Sequence, residues 1–310
     1  MILAVCLNPA IDRTSETDFF PAEKVKRVQN SVYSAGGKGV NIARVMKTLG
    51  AEALTIGLTG GYTGRFFESL LKEEGLKGSF IRIKGATRIN ATLVNRASGR
   101  ETHLVDAGPE VTAGEMKKFR DLFDRMLSDN NIDCAVFSGS LPPGAPRDFY
   151  SGLIAAAGKR GIFTALDTGG EPLREGIRAE PRMIKPNSGE LDGLAGAKLK
   201  NTGDRMNFAR SLKIPEILVS MGRSGSFLCA GGKILRAGKV KAQPGNSVGS
   251  GDALLAGYVF SRILKKETAE EALVTGSACA LANLRSRTPG GVSMNDINRF
   301  KQAQLKRPEH

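Results

Sequence analysis

The chain has 310 residues, 41% hydrophobic and 25% charged, with a formal net charge of +14 at pH 7. That balance reads as an ordinary soluble globular chain able to bury a sizeable core as one large domain or two. His103 and His310 are its histidines, and its four cysteines, Cys6, Cys134, Cys229 and Cys279, form no CxxC pair, so zinc and histidine-based catalysis have almost no material to work with.

The lysines and arginines are scattered in ones and twos, as at Lys117-Lys118 and Lys265-Lys266, with acidic residues between them. No basic block or aromatic-interleaved strand is present, so no nucleic-acid partner is expected. A field of that sign does draw in small anionic substrates.

The opening run Met1–Leu7 is apolar but short, lacks a basic flank and meets Asn8-Pro9. It reads as a first strand and not as an export signal. No apolar run approaches the roughly 18 residues of a membrane span, so no membrane partner is expected. The separated cysteines fit a reducing, cytoplasmic setting.

Past the first strand, Asp12 falls where α/β folds put ligand-contacting residues, or else is a turn aspartate. Residues 17–33 alternate loosely, compatible with short strands. Ala35-Gly36-Gly37-Lys38-Gly39-Val40-Asn41 opens an amphipathic helix that stops at Gly50, and its spacing is not that of a Walker A loop. Glycines and a lysine at a helix start suggest an anion or polyol lying against backbone.

Ala53–Leu58 is predicted as a strand and Thr63–Glu74 as a helix. Ser79–Lys84 and Ile89–Arg96 alternate like paired strands, with Arg88 and Asn90 at the entry of the second. An arginine fork suits a pair of phosphate oxygens, and equally a solvated strand end.

From about residue 111 strands and helices alternate regularly: helix Thr112–Leu127, strand Cys134–Phe137, helix Asp148–Lys159, strand Phe163–Asp167, strand Met183–Lys185 and strand Ile217–Ser220. Such alternation implies parallel strands with crossover helices on both faces. Ser138, Asp167 and Lys185 then fall at the carboxyl ends of strands, where such sheets bind ligands. Asn187 and Glu190 stand three apart at a helix start, either to hold magnesium waters or as an N-cap with its capping-box partner. Ser226–Leu228 and Ile234–Arg236 form a possible hairpin. Two helices after Gly251 and one from Asn295 close the chain.

The stretch around which the rest is organised is Asn246-Ser247-Val248-Gly249-Ser250-Gly251-Asp252, followed by an apolar run at helical spacing. A Gly-rich turn feeding a helix start exposes unpaired N–H groups at the positive end of the dipole and can hold a phosphate. Asp252 would repel a phosphate that was merely bound. It makes sense as the group that takes a proton from an attacking hydroxyl, or else as the N-cap aspartate of an ordinary core helix.

These pieces, from Asn8-Pro9-Ala10-Ile11-Asp12 through Gly36–Asn41, Thr87–Asn90, Ser138–Gly144 and Lys185–Glu190 to Val248–Asp252, occur in one order along the chain. In that order the chain resembles the phosphofructokinase B family of the ribokinase-like superfamily, specifically its phosphohexose branch. The resemblance implies a single ribokinase-like domain over 1–310. Its fold would be a three-layer α/β/α sandwich with a central, mostly parallel sheet and a small β-sheet lid, formed by insertions at about 12–34 and 79–107. It implies a magnesium-dependent, cytoplasmic ATP kinase acting on a ketohexose monophosphate, and a homodimer formed through the lid.

Position by position, the resemblance makes Asp252 the base and the N–H groups of Gly249, Ser250 and Gly251 the anion hole. It assigns Asp12, Gly37, Lys38, Asn41 and Ser138 to the sugar, and Arg88 with Asn90 to its phosphate. Lys185, Asn187, Ser220, Gly222, Gly225, Gly251 and Asn283 fall to ATP, and Glu190 to magnesium through water. Ser250 stands where alanine is usual, and Thr102–Pro109 lacks an asparagine found in many fructose-1-phosphate kinases of this family. Fructose 1-phosphate is the expected acceptor, with tagatose 6-phosphate and fructose 6-phosphate as alternatives and a non-catalytic sugar-phosphate sensor as the reading from another class.

Overall fold

The computed structural model describes residues 1–17, 25, 27–98, 101–237 and 247–305. Residues 18–24 and 26 of the first expected insertion, 99–100 of the second, and Asn246 of the Gly-rich stretch lie outside the described residues.

The chain begins with β1 (Ile2–Cys6), β2 (Ala10–Thr17), β3 (Gln29–Gly36), α1 (Lys38–Thr48), β4 (Ala53–Gly60) and α2 (Gly61–Glu73). Three strands follow, β5 (Lys77–Ile83), β6 (Arg88–Asn95) and β7 (Glu101–Leu104). The alternating part runs through α3 (Ala113–Asp129), β8 (Cys134–Ser138), α4 (Phe149–Gly158), β9 (Phe163–Asp167), α5 (Gly170–Ile177), β10 (Met183–Ile184), α6 (Ser188–Ala195), α7 (Thr202–Ser211) and β11 (Glu216–Ser220). The end comprises β12 (Ser226–Ala230), β13 (Lys233–Arg236), α8 (Ser250–Val259), α9 (Ala269–Asn283) and α10 (Met294–Leu305). No helix among the described residues is long and apolar enough to cross a membrane.

Nine strands form one sheet in the order β13-β12-β11-β10-β9-β8-β1-β4-β5. From β11 to β5 every neighbour is parallel, while β12 and β13 add an antiparallel edge. Parallel strands are covered on both faces, and β1 is buried along its whole length. Its alternate residues enter two cores: Leu3 and Val5 belong to the one that α3, α4 and α7 also line, and Ile2 to the one that α1, α8, α9 and α10 line. This is the three-layer arrangement that strand–helix alternation predicts.

Four strands form a separate small sheet in the order β3-β2-β6-β7. Its core side, with Ile11 and Ala35, packs on Phe67, Leu70 and Leu71 of α2. Because β2 follows β1 after only Leu7-Asn8-Pro9, the small sheet springs directly from the carboxyl end of the large one.

One pairing differs from expectation. Ser79–Lys84 and Ile89–Arg96 do not pair with each other: β5 runs parallel to β4 on the edge of the large sheet, and β6 lies between β2 and β7. An edge strand is partly open to water, so β5 carries a mixed pattern like that of a strand in the small sheet. Helices α5 and α7 also lie where no helix was predicted. The first opens on Gly169-Gly170 with Pro172 in its first turn, a composition that reads as a loop.

Candidate active site

Lys38, Asp167, Lys185 and Asp252 gather at the carboxyl ends of the parallel strands. Gly249 caps α8 with φ 82°, a conformation that favours glycine, and a Cβ there would stand 2.6 Å from the Gly290 nitrogen. The turn brings the chain back so that Ala253 donates to the Gly249 carbonyl at 2.8 Å and Ser250 donates to Ser247 at 3.2 Å. Of the three amides expected to face an anion, that of Ser250 is therefore spent inside the turn. Gly249 and Gly251 donate to no acceptor among the described residues.

Asp252, in the first turn of α8, is buried. Its Oδ2 accepts from Asn41 Nδ2 at 2.8 Å. Burial is the main force pushing this carboxyl from its ordinary 3.8 up to about 6; Asp167 adds to the rise, and Lys38, Asn41 and Lys185 oppose it. A carboxylate so poised is ionised near neutrality yet basic enough to take a proton.

Beside it Asp167, fully buried at the end of β9, is shared by two lysines. Lys38 Nζ, at the start of α1, donates to Oδ1 at 2.9 Å, and Lys185 Nζ stands 3.2 Å from Oδ2 as an ion pair. Burial works against ionisation of Asp167, but Lys185 and Lys38 outweigh it and hold the carboxyl below its usual range. Burial likewise disfavours the Lys38 ammonium, and Asp167 and Asp252 overcome it, holding its pKa above the ordinary value. A Cβ on Gly251 would lie 3.3 Å from Lys185 Nζ, so this cation stands against the unspent amides.

On the small sheet, β2 and β6 place Asp12 opposite Asn90, which donates to Asp12 Oδ1 at 2.9 Å. Asp12 lies so close to Gly36 that a Cβ there would meet its carboxylate at 2.2 Å. Burial raises its pKa. Arg88 donates from Nη1 to Asp106 O at 2.6 Å and from Nη2 to Asn8 O at 2.7 Å, which points its fork at the junction of the two sheets. Gly37 caps α1 with φ 110°, and a Cβ there would strike Cys6 Sγ. Arg44 bridges the groups: it donates to Asn41 Oδ1 and to the carbonyl of Ala35, next to Gly36.

The remaining set lies at the ends of β10 and β11. Asn187 and Ser220 form a parallel bridge, and Ser220 donates to Pro186 O at 3.1 Å. Gly222 and Gly225 shape the turn after β11, with Gly225 at φ 84°. Asn187 and Glu190 make the capping box of α6 in full, at 2.8 and 2.9 Å. That uses Glu190 Oε2, while Oε1 faces Gly169. Magnesium keeps several waters and phosphate oxygens and needs only one or two carboxylates, so this second oxygen is a donor that fits the ion.

Two expected residues stand elsewhere. Ser138 is fully buried, and its hydroxyl donates to Val5 O at 3.4 Å beneath Gly39, because β8 turns that side chain into the sheet and not toward its end. Asn283 is also fully buried. It donates to Val248 O at 2.8 Å and to Ser250 Oγ at 3.0 Å and accepts from Gly290 N at 2.7 Å, so it braces the Gly249 turn and offers no open amide to a nucleotide base.

Asp167 was expected at a ligand-binding strand end but given no role, and Arg44 was not among the expected site residues. A carboxylate ending the apolar strand Phe163–Asp167 was the available signal for the first. An arginine three residues after Asn41, on the same helix face, was the signal for the second.

The sequence pattern that describes the pfkB family of carbohydrate kinases matches residues 1–295. The chain belongs to the pfkB family. It is 31% identical to a tagatose-6-phosphate kinase of Staphylococcus epidermidis over 98% of this chain and 99% of the relative. It is 32% identical to a 1-phosphofructokinase of Borreliella burgdorferi over 84% of each chain. The crystal structure of phosphofructokinase-2 from Escherichia coli in complex with potassium superposes with a TM-score of 0.89 at 27% identity, covering 98% of this chain and 99% of that one. As a pfkB family member the protein is a carbohydrate kinase, a phosphotransferase. The expected ribokinase-like fold, a large mostly parallel sheet with a small separate sheet, is the fold found.

Proposed function

We propose that this kinase transfers the γ-phosphoryl group of ATP to a primary hydroxyl of a ketohexose monophosphate, with fructose 1-phosphate as acceptor and fructose 1,6-bisphosphate as product. The observation that carries the reading is Asp252: buried, held by Asn41 through one oxygen, and set beside the unspent Gly249 and Gly251 amides and the Lys185 ammonium.

The free oxygen of Asp252 takes the hydroxyl proton as the substrate oxygen attacks the γ-phosphorus. The new ester bond forms while the bond to the β,γ-bridging oxygen breaks, and ADP leaves. The amides, the start of the α8 dipole and Lys185 meet the charge spread over the migrating group. Arg88 grips the phosphate already on the sugar, while Asp12 and Asn90 hold its hydroxyls. Kinases of this kind use a divalent cation with the nucleotide. We assign magnesium, which neutralises nucleotide phosphate charge, to the free oxygen of Glu190 through water.

The small sheet carries Asp12, Arg88 and Asn90, and as a lid over the sugar it would exclude water that could otherwise accept the phosphoryl group. This sheet also leaves Val32, Tyr33, Ile89 and Leu104 exposed, which supports association of two copies through it. The four buried, unpaired cysteines support a cytoplasmic location.

Tagatose 6-phosphate is the second acceptor to test, because the S. epidermidis relative bears that name and aligns over nearly the whole chain. An ADP-release assay across fructose 1-phosphate, tagatose 6-phosphate and fructose 6-phosphate decides among them. The highest kcat/KM is expected with fructose 1-phosphate, and binding of all three without turnover would replace the enzyme reading with a sugar-phosphate sensor.

A further inference from the structure

The Arg44 side chain is held by five hydrogen bonds to groups of the chain itself. It lies one turn after Asn41 on α1 and is buried. A guanidinium has five N–H donors and no acceptor. All five are used here: Nε on Glu74 Oε2, Nη1 on Asn41 Oδ1 at 2.9 Å and on the Pro289 carbonyl, Nη2 on the Ala35 carbonyl and on Glu74 Oε1 at 3.1 Å. Glu74 in turn accepts from the Ala35 nitrogen at 3.2 Å, so the pair grips both polar groups of that residue of β3.

The chemical consequence falls on Asn41. An amide can present either its oxygen or its nitrogen to a neighbour, and the two differ by a half-turn about one bond. A group that only donates accepts just one of those orientations, with the oxygen toward Arg44. The nitrogen is then fixed toward Asp252, where it donates to Oδ2. Rotated the other way, the amide would set an oxygen against the carboxylate, an arrangement that is stable only when Asp252 carries a proton.

We propose that Arg44 is a positioning residue for the phosphoryl-transfer reaction: by holding the Asn41 oxygen it keeps the Asn41 nitrogen on Asp252, and so keeps that carboxylate free of its proton and its other oxygen turned to the substrate hydroxyl. This rests on the assignment of Asp252 as base. The other groups facing Asp252 are Cys6 from β1, Lys38 from α1, Asp167 at the end of β9 and Lys185 after β10, and none of them contacts Arg44. Arg44 also acts by charge on Asp12, favouring its ionised form; that effect does not pass through Asn41, so the Asn41→Ala background separates it from the one proposed.

The test is the pH dependence of kcat/KM in the full-length enzyme for Arg44→Met, Arg44→Lys and the same changes combined with Asn41→Ala. The acid limb of Arg44→Met is expected to move upward by about one to two pH units, the worth of a hydrogen bond to a charged group. Activity at pH 7 then falls roughly 2- to 10-fold and is mostly regained at pH 9. Arg44→Lys, which still offers only donors to the Asn41 oxygen, restores the wild-type limb. In the Asn41→Ala background Arg44→Met no longer moves it.

Should Arg44→Met fail to fold, Arg44→Gln replaces it, since its amide offers an acceptor as well as a donor, and the same upward displacement is expected. A limb that stays in place in the variant that folds, or a displacement that persists without Asn41, overturns the proposal. A loss of activity equal at every pH does so too, because it is what simple loss of packing produces. Wild type and Asp252→Asn are measured alongside. An inactive wild type, or an active Asp252→Asn, refutes the base itself, whereas failure confined to the Arg44 series refutes only the positioning role.

Discussion

Replacing Asp252 by asparagine keeps shape and nearly all contacts but removes one charge and the capacity to take a proton. Burial raises this carboxyl from 3.8 to about 6, so at pH 8 the folded protein holds ionised a group it would rather keep neutral. A folded-state pKa above the unfolded one means that stability is full at low pH and falls as pH rises through about 6. At about 1.4 kcal/mol per unit, the two units correspond to a ceiling of about 3 kcal/mol. Asp252→Asn is therefore expected to melt a few degrees above wild type at pH 8, with the gap closing at pH 4. Turnover should fall by a factor of about 100 to 10,000, the usual cost of one lost acid–base group. The assay pairs thermal melts at the two pH values with ADP release at pH 8. A variant that is less stable at pH 8 and turns over within about tenfold of wild type would refute the reasoning, for the residue would then serve the fold and not act as a base.

Three further changes probe the neighbouring groups. Arg88→Ala should raise the KM for the sugar phosphate by about 10- to 100-fold, the worth of charged hydrogen bonds, and leave the KM for ATP unchanged; an unchanged sugar-phosphate KM removes Arg88 from the site. Gly249→Ala meets both φ 82° and the Gly290 nitrogen at 2.6 Å, so kcat and melting temperature should fall together, the backbone alone costing about 1–2 kcal/mol. A wild-type kcat in that variant would mean that the turn is not used in transfer. Lys185→Met strips Asp167 of one of its two cations and should cost up to about 3 kcal/mol in urea unfolding, with kcat reduced as well. Unchanged stability would show that Lys38 alone suffices.

What the sequence disclosed and what it withheld divide along sequence distance. Helix starts such as Gly37-Lys38, Thr112 and Asn187 were legible because a cap is a local event, settled within four residues. The parallel order followed from strand–helix alternation, which is also local. The small sheet was misread at β5 because pairing is a distant choice: nothing within Lys77–Ile83 says whether its partner is β4 or β6. The same limit governs the site. Asp252 announced itself through its glycines, but its hold on Asn41 spans 211 residues, and the sharing of Asp167 by Lys38 and Lys185 joins three separate strand and helix ends. Asn187 and Glu190 allowed a capping box or an ion site. The box is formed, and it leaves one carboxylate oxygen for the other use.

The brace supplied by Asn283, together with the Pro289-Gly290 contacts, reaches the Gly249 turn from the far end of the chain. A nascent polypeptide that has emerged through residue 252 already owns the acid and its glycines, yet lacks what holds them in shape until residues 283 and 290 have left the ribosome.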